Sequence, residues 1–339
     1  MQSTLEKKTP NASKLIDSRK RHLNYLRISI TDRCNLRCRY CVPQELIPKL
    51  SHADILTYEE ILRVVRVATR LGISKARITG GEPLVRKGVY EFLQKLVAIE
   101  GLQDVSLTTN GVYLKDNLEK IQAAGISRIN ISLDTLNRSK YRDITGFDEF
   151  ERVWRGIEKA HRAGFYPIKL NIVALRGVND DELVDLARLS LQFPFHIRFI
   201  EYMPIGQADF NPDSSLWVPE IKERISALGN LDPVREAAHD GPAQRYQYPH
   251  AMGEVGFIPA LSQHFCHKCN RLRLTASGQL RPCLLSDRQK NLKKVLRENG
   301  SDNDLAQLFL DTVKHKPSDH KLTAQKSAHV CGQMRAIGG

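Results

Sequence analysis

Between residues 24 and about 203, short apolar stretches alternate with longer stretches of helical period. Runs at 25–30, 76–79, 104–108, 127–133, 168–174 and 196–201 have the length and branched content of strands. Helices are predicted over 57–71, 86–99, 115–123, 150–163 and 179–191. Thr57 and Asn179 are N-cap residue types at helix starts, and Gly72, Gly125 and Gly164 stand where helices close. This alternation predicts parallel βα units. Six strands fall short of a closed eight-stranded barrel, so the expected class is α/β: an incomplete (β/α)6 TIM-like barrel. Beyond 203 the pattern weakens into a Gly- and Pro-containing loop at 204–215, a helix near 217–228 and another at 300–314. The expected division is a flexible leader at 1–23, a partial barrel at 24–235, and a C-terminal region at 236–339 that closes the open side.

The strands carry a second pattern. Parallel strands covered on both faces usually read as continuous apolar runs, but these alternate. Leu26, Ile28 and Ile30 oppose Arg27, Ser29 and Thr31; Ala76 and Ile78 oppose Arg77 and Thr79. Val105 and Leu107 oppose Ser106 and Thr108; Ile129, Ile131 and Leu133 oppose Asn130, Ser132 and Asp134. Ile168, Leu170 and Ile172 oppose Lys169 and Asn171; Ile197 and Phe199 oppose His196 and Arg198. Helices pack on the apolar face, so the polar face lines the interior. The interior is then cationic, with Arg27, Arg77, Lys169 and Arg198 pointing in. Burying that much unpaired charge is costly, and a phosphate chain is the natural counter-ion.

Composition narrows the classes. The 339 residues are 41% hydrophobic, enough for a sizeable core. No apolar run reaches the roughly 18 residues a membrane helix needs. The first residues, MQSTLEKKTPNASKLIDSRKRH, mix acids and bases without an apolar stretch and read as a cytoplasmic leader, not a targeting segment. The net charge of +13 points to an anionic partner.

Six of the seven cysteines form two triplets, Cys34, Cys38, Cys41 and Cys266, Cys269, Cys283; Cys331 stands apart without a role. Clustered cysteines in an unsecreted chain point to metal. The first triplet directly follows the first predicted strand, where barrel active sites lie. Three thiolates hold three irons of a 4Fe–4S cube and leave one iron open, and the loop offers no fourth Cys or His for structural zinc. By spacing alone the second triplet suits zinc, with His264 or His267 as fourth ligand, as well as a second cluster.

CxxxCxxC with Tyr40 before its last cysteine resembles the signature of the radical S-adenosylmethionine superfamily. Thr79-Gly80-Gly81-Glu82-Pro83 resembles that superfamily's GGEP turn. The run Cys266-His-Lys-Cys269-Asn270-Arg271-Leu272-Arg273-Leu274-Thr275, a lone Cys283 and a Gly-Gly end resemble the GTP 3′,8-cyclase family. So do Leu26–Arg33, Arg77–Pro83, Thr108-Thr-Asn-Gly and Arg198-Phe-Ile-Glu-Tyr-Met203-Pro.

The resemblance implies two 4Fe–4S clusters, one on each triplet, with S-adenosylmethionine at the first and GTP at the second. It implies that Tyr40, Gly81, Ser132 and Met203 contact S-adenosylmethionine. Arg27, Arg77, Thr108, Lys169, Arg198, Arg271, Leu272 and Arg273 would hold GTP, and Arg271, Arg273, Gly338 and Gly339 would act in catalysis. The implied reaction opens molybdenum cofactor biosynthesis. It would draw electrons from a flavodoxin or ferredoxin and pass product to cyclic pyranopterin monophosphate synthase, in a cytoplasmic homodimer. Two other readings fit less well. A peptide maturase carries more C-terminal cysteines and needs no cationic lumen. A nucleic-acid-binding module needs basic and aromatic residues on an exposed face, and aromatics are only 7% of this chain.

Overall fold

The computed structural model describes residues 15–41, 49–205, 215–235, 241–263, 265–320, 330 and 334–338. Its strands are β1 (Tyr25–Ser29), β2 (Lys75–Thr79), β3 (Asp104–Thr109), β4 (Ile129–Ser132), β5 (Ile168–Ala174) and β6 (Phe195–Glu201), followed by β7 (Asp232–Pro233), β8 (Gln244–Gln247), β9 (Glu254–Ile258), β10 (Arg271–Leu274), β11 (Gln279–Arg281) and β12 (Lys290–Asn291). They form one sheet in the order β12-β11-β10-β1-β2-β3-β4-β5-β6-β9-β8-β7. The first six strands lie within two residues of the expected positions.

The six-strand count is corrected. β10 pairs parallel with β1, and β9 pairs parallel with β6, so the parallel run has eight strands. Antiparallel β11–β12 and β8–β7 extend its two ends. An edge strand leaves a row of unpaired N–H and C=O groups. The C-terminal half supplies partners for both edges from far along the chain, and a local period cannot show that. The fold is therefore α/β with a mostly parallel sheet.

The apolar face of the strands is covered by the helices, as the alternation predicts. Ile28, Ile78, Leu107, Ile131, Leu170 and Ile197 are fully buried in one core cluster with helix residues such as Val64, Phe92 and Ile157. Each such side chain contributes about 1.5–3 kcal/mol relative to exposure. The helix Tyr58–Arg70 begins with a capping box between Thr57 and Glu60, as its sequence predicts. A helix over Arg138–Thr145 was not expected, because its only buried apolar positions are Tyr141 and Ile144. Its ends are nonetheless signalled: Asn137 accepts from the Ser139 and Lys140 amides, and Gly146 closes it at φ 78°. Among the described residues no helix is long and apolar enough to cross a membrane.

The leader expected at 1–23 is corrected in its last part. Leu15 and Leu23 are fully buried, and the Leu23 amide donates to the Leu15 carbonyl at 2.9 Å. Between them Asp17 Oδ1 accepts from the Arg19 and Arg21 amides, closing a tight turn through Lys20 at φ 60°.

Candidate active site

A cavity of about 280 Å³ runs along the polar face of the sheet and all six triplet cysteines line it, the first triplet at the C-terminal ends of the parallel strands and the second at their N-terminal ends. The first triplet sits on the loop after β1. That loop extends the β1–β2 pairing: Gly81 N–H donates to the Thr31 carbonyl at 2.7 Å, and Glu82 N–H to the Arg33 carbonyl at 2.8 Å. A Cβ on Gly81 would lie 2.3 Å from the Arg33 oxygen, so only glycine allows this approach. On the other side, Arg37 and Arg39 N–H groups donate to the carbonyls of Thr145 and Ile144. The helix missed in the sequence therefore clamps the cysteine loop.

Within the loop, Cys34 Sγ accepts from the Leu36 amide at 3.4 Å and from Asn110 Nδ2 at 3.7 Å. Burial pushes the Cys34 and Cys38 thiols up, and Cys41 up to about 12, with nearby acidic groups and cysteines adding to these shifts. Such thiols ionise only when a cation enters among them. Arg335 beside Cys41 and Arg37 beside Cys34 oppose the rise without reversing it, and two buried carboxyls lie close by. Asp134 Oδ2 accepts from the Tyr40 hydroxyl at 2.6 Å, Oδ1 accepts from the Val173 amide at 2.9 Å, and burial lifts this carboxyl to about 6. Glu82 is fully buried. It accepts from Leu84 N–H, Thr109 Oγ1 and Asn110 N–H at 3.0, 2.8 and 2.7 Å, and burial lifts it to about 7.

The second triplet faces the first across the cavity. Cys266 opens a short turn, Cys269 precedes β10, and Cys283 follows β11. Burial would raise the Cys269 thiol, but Arg271 and Lys316 outweigh it and bring it down to about 6. Arg271 also lies over the Phe265 ring at 4.7 Å. Among the described residues no group of His, Cys, Asp and Glu closes tightly enough for a single metal ion. Thiols spread around a shared cavity suit a polynuclear cluster, in which each binds its own iron. Zinc with His267 finds no such closed set here, and His264 lies outside the described residues.

Between the triplets runs a cationic wall. Arg27 on β1 stands in register with Arg273 on β10 and with Arg77 on β2. Like charges side by side on one sheet face repel. Burial, then Arg77 and Arg271, bring the Arg27 guanidinium down to about 9 although Tyr25 favours its charge. Arg198 and Thr108 line the same cavity, and the buried Thr108 Oγ1 has no hydrogen-bond partner among the described residues. Lys169 lies deeper. It is 7% exposed, makes no hydrogen bond or ion pair among the described residues, and is brought down to about 5 by burial and then by Arg198 and Arg128. Below the wall, by contrast, Asp104 takes both Lys75 at 3.1 Å and Arg128 at 2.9 Å. The wall concentrates guanidinium groups on one face of the cavity.

Tyr40, Gly81, Ser132 and Met203 line the cavity, as do Arg27, Arg77, Thr108, Arg198, Arg271 and Arg273. Leu272 does not: its side chain is fully buried in the core on the opposite face of β10. Lys169 sits beneath the lining rather than in it. The tail is in place: Arg273 Nη1 donates to the Gly338 carbonyl, and Gly338, at φ 75°, lies against Ser29 and Thr79. Gly339 and Cys331 fall outside the described residues.

Sequence reasoning gave no role to Glu82, Asn110 or Glu201. Glu201, fully buried, accepts from the Val218, Leu261 and Ser262 amides at 3.0, 2.9 and 3.0 Å, tying the segments after β6 and β9 together beside Met203. Its only signal was a carboxylate inside an apolar strand end.

A model of the Radical SAM superfamily matches residues 28–190, and one described as Molybdenum Cofactor Synthesis C matches 195–322. A GTP 3′,8-cyclase of Moorella thermoacetica is 49% identical over 306 residues, 90% of this chain and 95% of that one. Those of Pelotomaculum thermopropionicum and Geobacter sulfurreducens are 48% and 47% identical, covering 95% and 96% of this chain and 99% of each relative. The chain belongs to the GTP 3′,8-cyclase family. Among solved structures, Streptococcus suis SuiB bound to S-adenosylmethionine aligns with a TM-score of 0.59 at 15% identity, over 80% of this chain and 65% of that one, so this chain spans just under two thirds of its length. Native anSMEcpe with bound AdoMet aligns at 0.53 and 17%, over 83% of this chain and 81% of that one. These two likenesses concern the fold.

Proposed function

We propose that this chain converts GTP to (8S)-3′,8-cyclo-7,8-dihydroguanosine 5′-triphosphate, the first step of molybdenum cofactor biosynthesis. It is a radical S-adenosylmethionine enzyme of the lyase class, with two 4Fe–4S clusters as cofactors. The observation that carries the substrate is the in-register row Arg273–Arg27–Arg77 along the cavity, a guanidinium array whose planar forks suit phosphate oxygens.

In this reading Cys34, Cys38 and Cys41 hold one cluster, and Cys266, Cys269 and Cys283 hold the other. Tyr40, Gly81, Ser132 and Met203 seat S-adenosylmethionine. When bound, these groups would supply a radical able to take hydrogen from the ribose 3′ carbon, so that this carbon can bond to guanine C8, with one electron from the external donor and one proton at N7 completing the 7,8-dihydro product. The chain's own work is placement. Arg27, Arg77, Arg198 and Arg273 neutralise the triphosphate, Lys169 beneath them regains its proton when the anion binds, Thr108 donates to it or to the ribose, and Arg271 lies nearest the second triplet. Leu272 contributes through its backbone, since its side chain is in the core. Gly338 lies beside the nucleotide, where its absent side chain leaves room, and Gly339, outside the described residues, is assigned the same catalytic role; the tail excludes water from the reacting atoms.

The reading also takes the sheet as a partial barrel curled round the cavity, with the barrel proper at 24–235 and the second cluster and tail at 236–339. It includes a flavodoxin or ferredoxin donor, delivery to cyclic pyranopterin monophosphate synthase, and a cytoplasmic homodimer.

The test is mass spectrometry of an anaerobic reaction of iron-reconstituted protein with reductant, S-adenosylmethionine and GTP. Both 5′-deoxyadenosine and an isomer of GTP are expected. Deoxyadenosine with unchanged GTP would overturn the substrate and direct the search to peptides.

A further inference from the structure

Lys316 is only 5% exposed, a rare place for an ammonium group. Its Nζ donates to the Arg271 carbonyl at 2.8 Å and to the Pro282 carbonyl at 2.6 Å. Those carbonyls lie two residues after Cys269 and one before Cys283. From the other side comes Arg21, 7% exposed. It donates through Nη1 to the Cys266 carbonyl at 2.5 Å and through Nη2 to the Pro317 carbonyl at 2.7 Å. Its Nε is held by Asp17 Oδ2 at 2.6 Å, and Asp17 Oδ1 is in turn fixed by the amides of its own turn.

One cation thus grips the segment of Cys266, the other grips the segments of Cys269 and Cys283, and Lys316-Pro317 joins the two. The sheet does not need this bracing: β10 is already paired with β1 and β11. What the braces add is the placement of three cysteine backbones relative to one another. Backbone carbonyls satisfy the hydrogen bonds of Lys316 without neutralising its charge, and three thiolates beside it would.

We propose that Arg21 and Lys316 are positioning residues for the second cysteine triplet, fastening the backbone that carries Cys266, Cys269 and Cys283 and setting the positive charge its thiolates face. This rests on the reading of that triplet as an iron–sulfur site. Groups that orient ligands from behind commonly tune affinity and potential by large factors.

The test uses the full chain with Cys34, Cys38 and Cys41 all replaced by Ala, so that only the second site can load. Iron per chain, the reduction potential and the electron paramagnetic resonance spectrum are read with and without GTP. The parent should hold about four irons and change its spectrum on adding GTP, as one substrate-facing 4Fe–4S cluster requires. Lys316→Met should retain at least threefold less iron, or keep its iron with a lower potential and a lost GTP response. Arg21→Gln should retain less iron while leaving the potential nearer the parent's, because it lies farther from Cys269 and Cys283 in the bonding scheme. A thermal melt establishes that each variant folds; if Lys316→Met does not, Arg21→Gln carries the test from the opposite side. A parent without a cluster overturns the reading and the proposal together. A normal parent with both variants indistinguishable from it overturns the positioning role alone.

Discussion

The two cysteine triplets face one cavity with three thiols each, yet the chain prepares them oppositely. The first has two buried carboxyls beside it: Asp134 is raised to about 6, Glu82 to about 7, and burial raises Cys41 to about 12 although Arg335 pulls the other way. The second lies among cations: Arg271 and Lys316 draw Cys269 down to about 6 against the effect of burial. The contrast fits the proposed division of labour, in which the first end takes a cofactor with an amino group and a positively charged sulfonium, suited by carboxyls and backbone carbonyls, and the second takes a nucleotide carrying several negative charges, suited by guanidinium groups. The difference lies in the neighbours supplied by other strands, not in the cysteines.

The strongest way to break this comparison is to remove one thiol from each side. Cys38→Ala should abolish formation of 5′-deoxyadenosine, at least a thousandfold below the parent, as measured by chromatography of the anaerobic reaction. Cys269→Ala should still release 5′-deoxyadenosine but form no cyclised GTP. If Cys269→Ala still cyclises GTP, the second site is structural and the division of labour is wrong.

The electrostatic half of the comparison is read in iron-free protein. At pH 7 a thiol at about 6 is about 90% thiolate, whereas one near 12 is essentially all thiol. Iodoacetamide should therefore modify Cys269 at least tenfold faster than Cys41, followed by peptide mass spectrometry; equal rates would refute the contrast. The signs for stability are also opposite. Ionised Cys269 stabilises above its ordinary value of about 8.5, a gain lost as pH falls through about 6. Neutral Cys41 stabilises below about 8.5, and that gain is lost as pH rises towards about 12.

Lys169 sharpens the cationic side. Its amine is held at about 5 in the folded chain and at about 10.4 when unfolded. Between those values the unfolded chain binds one more proton, so Lys169 costs stability there, and the cost shrinks as pH rises. Lys169→Met should raise the Tm of ligand-free protein by several degrees at pH 7, with a smaller gain towards pH 10, while raising the KM for GTP at least tenfold. An unchanged KM would remove Lys169 from the substrate site.

The smallest effect concerns the turn beneath the second triplet. Lys20 adopts φ 60°, where a Cβ is strained and glycine is not. Lys20→Gly should stabilise by about 1 kcal/mol or less in denaturant titration, without altering either thiol's reactivity. Destabilisation would mean that the lysine side chain contributes more than its backbone costs.

Much of the site was legible because strands report two things at once. Alternation in Leu26-Arg27-Ile28 and Ala76-Arg77-Ile78 declared both the strand and which face holds the charge. Tyr40, Gly81, Ser132 and Met203 came through motif resemblance and converge on the cavity. Leu272 shares a motif with Arg271 and Arg273, but its side chain points to the other face of β10, which leaves only its backbone available on the site side. The clamp by residues 138–145 and the buried acceptors Glu82 and Glu201 were not legible, since a carboxylate in a short motif does not reveal which amides will reach it.

The chain by itself determined six strands, their helices, the polar interior and two places where thiols cluster, because these depend on periodicities and spacings of a few residues. Only the tertiary structure decided that the sheet gains β9 and β10, that Arg273 stands beside Arg27 although most of the chain separates them, and that Arg21 and Lys316 meet behind one cysteine triplet. Such pairings arise when sheet edges and buried donors find partners wherever the chain happens to bring them, and no local pattern encodes that distance.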